Sequence, residues 1–158
     1  MILTPAELQQ VKDQAIREYP YECCGVVLTR EEPASRLFLP CRNQQNELHL
    51  KDKERHPRDA TIAYSIHFED LKKIQQFLDI GYDIAVLYHS HVDVGAYFSE
   101  TDKKAAMLGS DFPSYPNAVY LVVSVRGKNT NPVHVDAAAA FRWSEAKRDF
   151  AGVDFELT

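Results

Sequence analysis

Hydrophobic positions along the N-terminal part of the chain follow first a helical and then a strand pattern. Apolar residues recur every three or four positions over residues 4–19, which predicts an amphipathic helix. Thr4-Pro5-Ala6-Glu7 supplies an N-cap, a proline at the first helical position and a capping-box acid, and Pro20 ends the helix. Short apolar runs then predict strands over 23–29 and 36–41.

The middle of the chain begins with a long polar stretch. Residues 42–60 show no hydrophobic periodicity, so we expect the longest loop of the chain there. Alternation predicts a strand over 61–66, and helical spacing from Phe68 onward predicts a second amphipathic helix closed by Gly81. An apolar run over 83–88 predicts the central strand.

The C-terminal part is expected to contain one helix and an antiparallel pair of strands. A third helix is predicted over 99–108. A strongly β-forming run over 118–126, a turn at Gly127-Lys128-Asn129 and a returning strand over 133–142 predict a hairpin. The stretch 144–158 fits either a short helix or an edge strand.

The order of these elements predicts the fold class. Helices alternate with strands without a repeat or a linker, which predicts one α/β domain over residues 1–158, with a mixed β-sheet flanked by helices. The hydrophobic content of 45% and charged content of 26% are those of ordinary globular proteins. A net charge of −5 offers no basic surface for nucleic acid. We see neither a signal peptide nor a membrane-spanning segment, so we expect a cytoplasmic protein with no membrane partner.

The three cysteines do not form a disulfide framework. Their number is odd, and the adjacent Cys23 and Cys24 would point to opposite faces of a strand. We expect one of this pair to be a small core residue rather than a catalytic thiol. Cys41 and four histidines have no partner at ligand spacing and are interpreted as structural or exposed: His49, His56, His67 and His134.

The central strand runs into a potential metal-binding motif. His89 and His91 are two residues apart, so on extended backbone both imidazoles project from one face, with Cα atoms roughly 6.5 Å apart. Ser99-x-x-Asp102 begins the next helix and places Asp102 in its first turn. Two imidazoles and one carboxylate leave the fourth position of a tetrahedral zinc ion open, which is typical of catalytic sites.

Each part of this pattern also has a purely structural interpretation. A His-x-His pair can be two polar residues on a sheet face, and Ser-x-x-Asp is also a capping box. Hydrolysis at such a zinc ion needs a base in addition. Glu22, at the start of an otherwise apolar strand, is the candidate, although a carboxylate at a strand end is more often a surface residue.

Taken together, these residues resemble a known signature. Glu22, followed by His89-x-His91, seven further residues and Ser99-x-x-Asp102, closely resembles the signature of the JAMM (MPN+) metalloprotease family, in its compact prokaryotic type. The segment Tyr19-Pro-Tyr-Glu-Cys-Cys-Gly25 is similar to the strand that carries the glutamate in bacterial and archaeal members. The resemblance extends over nearly the whole chain and includes Asn43, after the second strand.

The resemblance implies a fold, a cofactor and a reaction. It implies a cytidine-deaminase-like α/β fold and one zinc ion per chain, bound by His89, His91 and Asp102. Glu22 would be the general base, and Ser99 would donate a hydrogen bond to the developing oxyanion. The implied reaction is hydrolysis of a peptide or isopeptide bond by zinc-bound water, commonly at the C-terminal tail of a ubiquitin-like protein. Among prokaryotic relatives, sulfur-carrier proteins of ubiquitin-like fold are the expected partners.

Two further expectations concern how a substrate tail would bind and the loop after the second histidine. An extended tail would add a strand to a sheet edge beside the metal, flanked by residues 42–60 and 93–98, including Tyr97 and Phe98. Members of the family usually have proline directly after the second histidine, where this chain has Val92-Asp93. Proline ligates nothing, so the difference concerns loop geometry and rate, and Asp93 is expected to be exposed or to approach the site.

Two other functions remain open at this point. One is a non-catalytic MPN scaffold for protein interactions, and metal content would distinguish it from an enzyme. The other is a zinc hydrolase of small molecules or cell-wall peptides, which a comparison of tail-bearing proteins with short peptides would separate from the isopeptidase.

Overall fold

One β-sheet forms the centre of the molecule, which is described by a computed structural model over residues 1–157. Its strands are β1 Cys24–Arg30, β2 Ser35–Cys41, β3 Asp83–Val92, β4 Val119–Arg126, β5 His134–Ser144 and β6 Asp149–Val153. They lie in the order β2-β1-β3-β4-β5-β6. Only β3 and β4 run parallel, and the other neighbouring pairs in this part of the chain are antiparallel. The predicted mixed sheet is therefore confirmed.

Helices cover both faces of this sheet. They are α1 Pro5–Glu18, α2 Gln45–Lys51, α3 Phe68–Asp79 and α4 Glu100–Met107. α1 packs on one face through Leu8 and Val11, and Ile74 of α3 packs on the other face together with the apolar residues of α4. No helix within residues 1–157 is both long enough and apolar enough to cross a membrane.

The capping box predicted for α1 is present and also connects the helix to the sheet. The Thr4 hydroxyl accepts a hydrogen bond from the Glu7 backbone at 3.2 Å, and the Glu7 carboxylate accepts one from the Thr4 backbone at 2.8 Å. The same carboxylate pairs with the Arg36 guanidinium of β2 at 2.7 Å. One acid therefore both starts the helix and fixes it to an edge strand.

The central strand β3 is hydrogen-bonded on both sides, to β1 and to β4. Its side chains alternate, so Val86 and Tyr88 face α1, and Leu87 packs on the opposite side, towards α3 and α4. His89 and His91 continue the alternation of Leu87. Both histidines consequently stand on the α3/α4 face of the sheet.

All three cysteines are core residues, although a core position was predicted for only one of Cys23 and Cys24. Cys23 packs in the cluster under α1, and Cys24 and Cys41 pack in the cluster on the opposite face. All three thiols are free. Burial raises the pKa of the Cys23 thiol to about 12, so it does not provide a thiolate nucleophile at neutral pH.

Two predictions for the segment between β2 and α3 are wrong. Residues 42–60 are not a continuous loop, because they include α2. The strand predicted over 61–66 is absent from the described residues, where only an isolated bridge joins Asn43 to Ile66. The Asn43 side chain occupies the backbone groups that a strand partner would use, since its amide donates to the Ala63 carbonyl and accepts from the Ser65 N–H.

Of the two structures expected for the stretch 144–158, the edge strand is the one present, as β6. β6 pairs antiparallel with β5, and Phe150 is buried against the core. Thr158, the last residue of the predicted stretch, lies outside the described residues.

Candidate metal centre and active site

Two histidines of β3 and one carboxylate of α4 converge on a single point. Asp102 Oδ1 lies 3.2 Å from His89 Nε2, and Asp102 Oδ2 lies 3.2 Å from His91 Nε2. The three potential ligand atoms all lie within 4.8 Å of one another. Around a tetrahedral zinc ion with bonds of about 2.0–2.1 Å, donor atoms are about 3.3 Å apart. The spacing therefore suits one metal ion.

Burial and hydrogen bonding also indicate a metal ion. His89, His91 and Asp102 are 2%, 5% and 7% exposed. Although His89 Nε2 is close to Asp102, it is a buried polar atom with no hydrogen-bond partner among residues 1–157. Such an atom is costly to leave without a partner. A metal ion at this point would supply the partner, so the residues present fit the group.

The electrostatics favour the metal-binding forms of Asp102 and His89 but not that of His91. Burial opposes the charge of Asp102, but its contacts with His89 and His91 hold the pKa of that carboxyl well below its usual range. Burial lowers the pKa of His89 and outweighs Asp102, which acts in the opposite direction. The lowered pKa favours the neutral imidazole. Burial would lower the pKa of His91, but its contact with Asp102 raises that pKa above the ordinary value. Carboxylate and neutral imidazole are the forms that coordinate metal ions.

The two imidazole rings are held in place by neighbouring groups. His91 Nδ1 lies 3.1 Å from the Gly95 carbonyl, which can only accept, so Nδ1 carries a proton and Nε2 is directed at Asp102. The ring of His89 stacks on Tyr64 with centroids 4.5 Å apart, and the ring of His91 meets the edge of Tyr97 at 4.8 Å. Both ligand rings are therefore oriented before any metal binds.

The loop after β3 is anchored by Asp93, which takes neither of its expected positions. Its carboxylate accepts hydrogen bonds from the backbones of Gly127 and Lys128, both at 2.9 Å, and from the Tyr19 hydroxyl at 2.7 Å. Asp93 has a φ of 56°, a left-handed conformation that aspartate tolerates better than most residues. Val92, in place of the usual proline, stays in β3. Hydrogen bonds of Asp93 thus fix the loop.

Glu22 is brought into the same cavity as the metal-binding group. Its carboxyl is buried and lines a cavity of about 140 Å³ together with His91, Ser99 and Asp102. The surface interpretation of Glu22 is therefore wrong. Burial raises the pKa of Glu22 to about 8, with His91 and Arg58 acting in the opposite direction and Asp102 in the same direction. His89 lies behind this cavity and does not line it.

The backbone around Glu22 is held from three directions. The Glu22 N–H donates to the Ala60 carbonyl at 2.7 Å, and the Glu22 carbonyl accepts from the Asn43 side chain at 2.9 Å. The next residue, Cys23, donates its N–H to the Ser90 hydroxyl at 2.8 Å. Ser90 stands between the two histidines, so it connects the strand of the ligands to the segment of the base.

Ser99 lies both at the start of α4 and in the lining of the cavity. It is the N-cap of α4, where its hydroxyl accepts from the Asp102 N–H at 3.1 Å and its own N–H donates to Asp102 Oδ2 at 2.9 Å. Because the hydroxyl oxygen acts as an acceptor in the cap, its proton stays available to donate into the cavity. The capping box therefore places Asp102 at the metal position.

The loops that flank the cavity contribute residues that the sequence analysis did not single out. Arg58, Thr61 and Ile62 line the cavity, and their segment lacks any recognisable motif. Tyr97 also lines it, as expected. Phe98 does not flank the cavity, because it is buried in an aromatic cluster of the core with Tyr120, Phe141 and Phe150.

Comparison with known proteins agrees with this geometry. The family model for prokaryotic homologs of the JAB domain matches residues 5–143. The solution structure of a protein from Salinibacter ruber matches with a TM-score of 0.56 and 22% identity, over 96% of this chain and 87% of that one. A protein from Desulfitobacterium hafniense matches with a TM-score of 0.59 and 17% identity, over 96% and 88%. These two structures support the fold alone. No curated protein gives a significant match.

Proposed function

The chain belongs to the family of prokaryotic homologs of the JAB domain, and we propose that it is a zinc-dependent hydrolase of peptide or isopeptide bonds. The observation that carries this proposal is the convergence of His89, His91 and Asp102 on one point, with a buried His89 Nε2 that lacks a partner among residues 1–157. Two imidazoles and a carboxylate are the donors of several catalytic zinc sites, and they leave a coordination position open.

The catalytic roles follow from the residues around the cavity. Held by His89, His91 and Asp102, the metal would supply a Lewis acid that polarises the scissile carbonyl and acidifies water. A cation held next to Glu22 would lower the raised pKa of that carboxyl, and the Glu22 carboxylate then accepts the proton of the attacking water and returns it to the leaving amine. Its backbone contacts with Ala60 and Asn43 hold it at the cavity.

Ser99 completes the site as a hydrogen-bond donor. Its hydroxyl proton is not used in the helix cap, so it can be donated to the oxyanion that forms when the carbonyl is attacked. One such donor contributes about 2.7–4 kcal/mol to transition-state stabilisation. Ser99 thus serves both the helix and the reaction.

We further propose that the substrate is the C-terminal tail of a ubiquitin-like or sulfur-carrier protein. β3 pairs with β4 as far as Val92 and with β1 as far as His89, so up to His89 it offers a tail no open edge to which a strand could be added. An extended tail would instead lie in the cavity, against the lining residues of the segments 58–62 and 94–97. Both segments present apolar and polar side chains that suit a peptide in extended conformation.

Metal analysis tests this function first. We expect one zinc ion per chain in the wild type and none in the His89→Ala/His91→Ala variant, whereas His134→Ala, at an exposed histidine, retains the metal. The absence of metal from the wild type after zinc is supplied would overturn the proposal. Iron in place of zinc would contradict the identity of the metal, because two histidines and a carboxylate also bind non-haem iron.

Mass spectrometry of candidate substrates tests the reaction. Ubiquitin-like and sulfur-carrier proteins with C-terminal extensions would be compared with short peptides of the same sequence. Cleavage of short peptides alone would favour the small-peptide hydrolase. Zinc binding without any cleavage would favour the scaffold.

A further inference from the structure

Arg58 brings a free guanidinium group to the cavity that contains Glu22 and His91. The Arg58 side chain is exposed and makes no hydrogen bond or ion pair with residues 1–157, while its backbone carbonyl accepts a hydrogen bond from Gln45. Several other arginines of the described chain are paired with carboxylates, namely Arg36, Arg42 and Arg126. The cation beside the candidate active site is therefore available to a ligand.

The backbone that carries Arg58 is fixed to the segment that carries Glu22. The Gln45 side chain donates to the Arg58 carbonyl at 2.8 Å. The neighbouring Asn46 side chain accepts at 2.8 Å from the N–H of Ala60, two residues after Arg58. The Ala60 carbonyl in turn accepts from the Glu22 N–H at 2.7 Å. The backbone position of Arg58 relative to Glu22 is thus set before a ligand binds, which lowers the backbone part of the entropy cost of binding.

A planar guanidinium group is suited to one class of ligand in particular. It presents parallel N–H donors that match a carboxylate in a bidentate, charge-assisted pair. The anionic groups already in the cavity have other roles, since Asp102 belongs to the metal-binding group and Glu22 is the proposed base. Neither lies within ion-pair distance of Arg58 in the described structure.

We propose that Arg58 determines specificity by binding a carboxylate of the substrate close to the scissile bond. This inference rests on the proposed function. The carboxylate can come from two sources: the free C-terminus of a short leaving peptide, or an acidic side chain next to the cleaved bond. The cavity of about 140 Å³ is smaller than the roughly 300–1,000 Å³ of most ligand pockets, so it accommodates a few non-hydrogen atoms beside the reacting groups.

An effect of Arg58 on Glu22 alone can be distinguished from binding of a substrate carboxylate. If the guanidinium acted solely through the nearby Glu22, its removal would change turnover equally for all substrates. If it binds a substrate carboxylate, its removal affects substrates with that carboxylate and spares those without it. The comparison of matched substrates therefore separates the two roles.

Binding can be measured without catalysis. N-acetylalanine, N-acetylalanine amide and N-acetylaspartic acid amide would be titrated into the zinc-loaded protein and followed by NMR. The first probe has a C-terminal carboxylate, the second has none, and the third has only a side-chain carboxylate. We expect Arg58→Ala to weaken binding of one or both carboxylate probes about 10- to 100-fold, the range for a lost charge-assisted hydrogen bond, with no effect on the neutral amide.

Two further variants provide the controls for this titration. Arg55→Ala removes an exposed arginine of the same segment that does not line the cavity, so it should bind all probes like the wild type. Arg58→Lys keeps the charge but loses the bidentate geometry, and it should recover only part of the affinity. Equal binding of the carboxylate probes to wild type and Arg58→Ala, as expected if the metal alone held them, would overturn the inference. Failure of both carboxylate probes to bind the wild type at millimolar concentration would also overturn it.

Kinetics on two matched pairs of peptides keep this inference separate from the proposed function. One pair differs in a free or an amidated C-terminus, and the other has aspartate or asparagine beside the cleaved bond. We expect Arg58→Ala to lower kcat/KM for the carboxylate-bearing substrates mainly through KM. If cleavage occurs but wild type and Arg58→Ala discriminate these pairs equally, the role of Arg58 is wrong and the hydrolase stands. If neither these peptides nor the tail-bearing proteins are cleaved, the hydrolase fails, and the binding titration still decides whether Arg58 holds a carboxylate.

Discussion

Asn43 donates a hydrogen bond from its side-chain amide to the backbone carbonyl of Glu22 at 2.9 Å. The same nitrogen donates to the Ala63 carbonyl at 3.2 Å. The side-chain oxygen accepts from the Gln45 and Ser65 N–H groups, at 3.0 Å each. A single amide thus joins the segment of the proposed base, the start of α2 and the loop over the cavity.

Replacement of Asn43 should lower turnover without removing the metal. Asn43→Asp keeps the acceptor oxygen but loses the donor to Glu22, so we expect turnover to fall at least tenfold at unchanged zinc content, with unfolding easier by about 1–2 kcal/mol. Zinc analysis, kinetics and thermal denaturation measure these effects. Gln75→Ala, at an exposed amide of α3, is the control. Wild-type turnover in Asn43→Asp would show that the amide does not position the base.

Replacement of Glu22 by glutamine should separate metal binding from catalysis. Glutamine has nearly the same shape but cannot accept the proton of water, so we expect a loss of about 10²- to 10⁴-fold in kcat. The zinc content should stay at the wild-type value, because Glu22 is not among the three ligand groups. Glu47→Gln changes an exposed acid of α2 and should leave both quantities unchanged. Turnover at the wild-type rate in Glu22→Gln would assign the base to another group.

The Glu7–Arg36 pair should make stability depend on acid pH. Burial would raise the pKa of Glu7, but the hydrogen bonds from Arg36 and from the Thr4 backbone outweigh it and lower that pKa from its ordinary value of 4.5. Because the folded-state pKa is depressed, the stabilisation is fully present above about pH 4.5 and is lost as the pH falls through the lower value.

Denaturation of Glu7→Gln at several pH values tests this dependence. We expect the free energy of unfolding to be lower than that of the wild type by about 1–2 kcal/mol at pH 7. The difference should shrink below pH 4.5 as the wild-type carboxylate becomes protonated. Glu31→Gln, at an exposed acid, should follow the wild type throughout. A constant difference between Glu7→Gln and wild type down to pH 2 would contradict a role for the charge.

The close approach of Tyr88 to Gly25 should make Gly25 intolerant of any side chain. The two residues are partners across β1 and β3, and a Cβ at residue 25 would overlap the Tyr88 hydroxyl, which donates to Gln14 at 2.6 Å. We expect Gly25→Ala to lower the free energy of unfolding by about 2–3 kcal/mol. Gly152→Ala, in β6, meets no described atom within 4 Å and should change stability by less than about 1 kcal/mol. Equal stability of the two variants would show that the strands adjust.

The sequence predicts the regular elements and the ligand set because both depend on local spacing. The period of two places His89 and His91 on one face of β3, and the capping box places Asp102 in the first turn of α4. These patterns persist whatever the rest of the chain does. The same locality explains why α1 and α3 agree closely with their predicted bounds.

The segment between β2 and α3 could not be predicted, because side chains determine its conformation. Asn43 bonds three backbone groups within this segment and the Glu22 carbonyl outside it, and its bonds to Ala63 and Ser65 take up backbone groups that a strand over 61–66 would need. Arg58 reaches the cavity only through this folded segment, so no local motif marks it. The anchoring of Asp93 by Gly127 and Lys128 likewise depends on contacts between distant residues.

The candidate metal ligands lie on two elements that open at different cost, and this difference would affect how fast a bound ion exchanges with solvent. β3 pairs with β1 as far as His89 and with β4 through both His89 and His91, so the amides of its central part exchange with deuterium only when the sheet opens. α4 has eight residues, and Asp102 is its one buried residue. A short peripheral helix opens at much lower cost than a central strand. We therefore expect fraying of α4 to set the residence time of a bound ion, and substitutions that stabilise this helix to slow its release without changing a ligand residue.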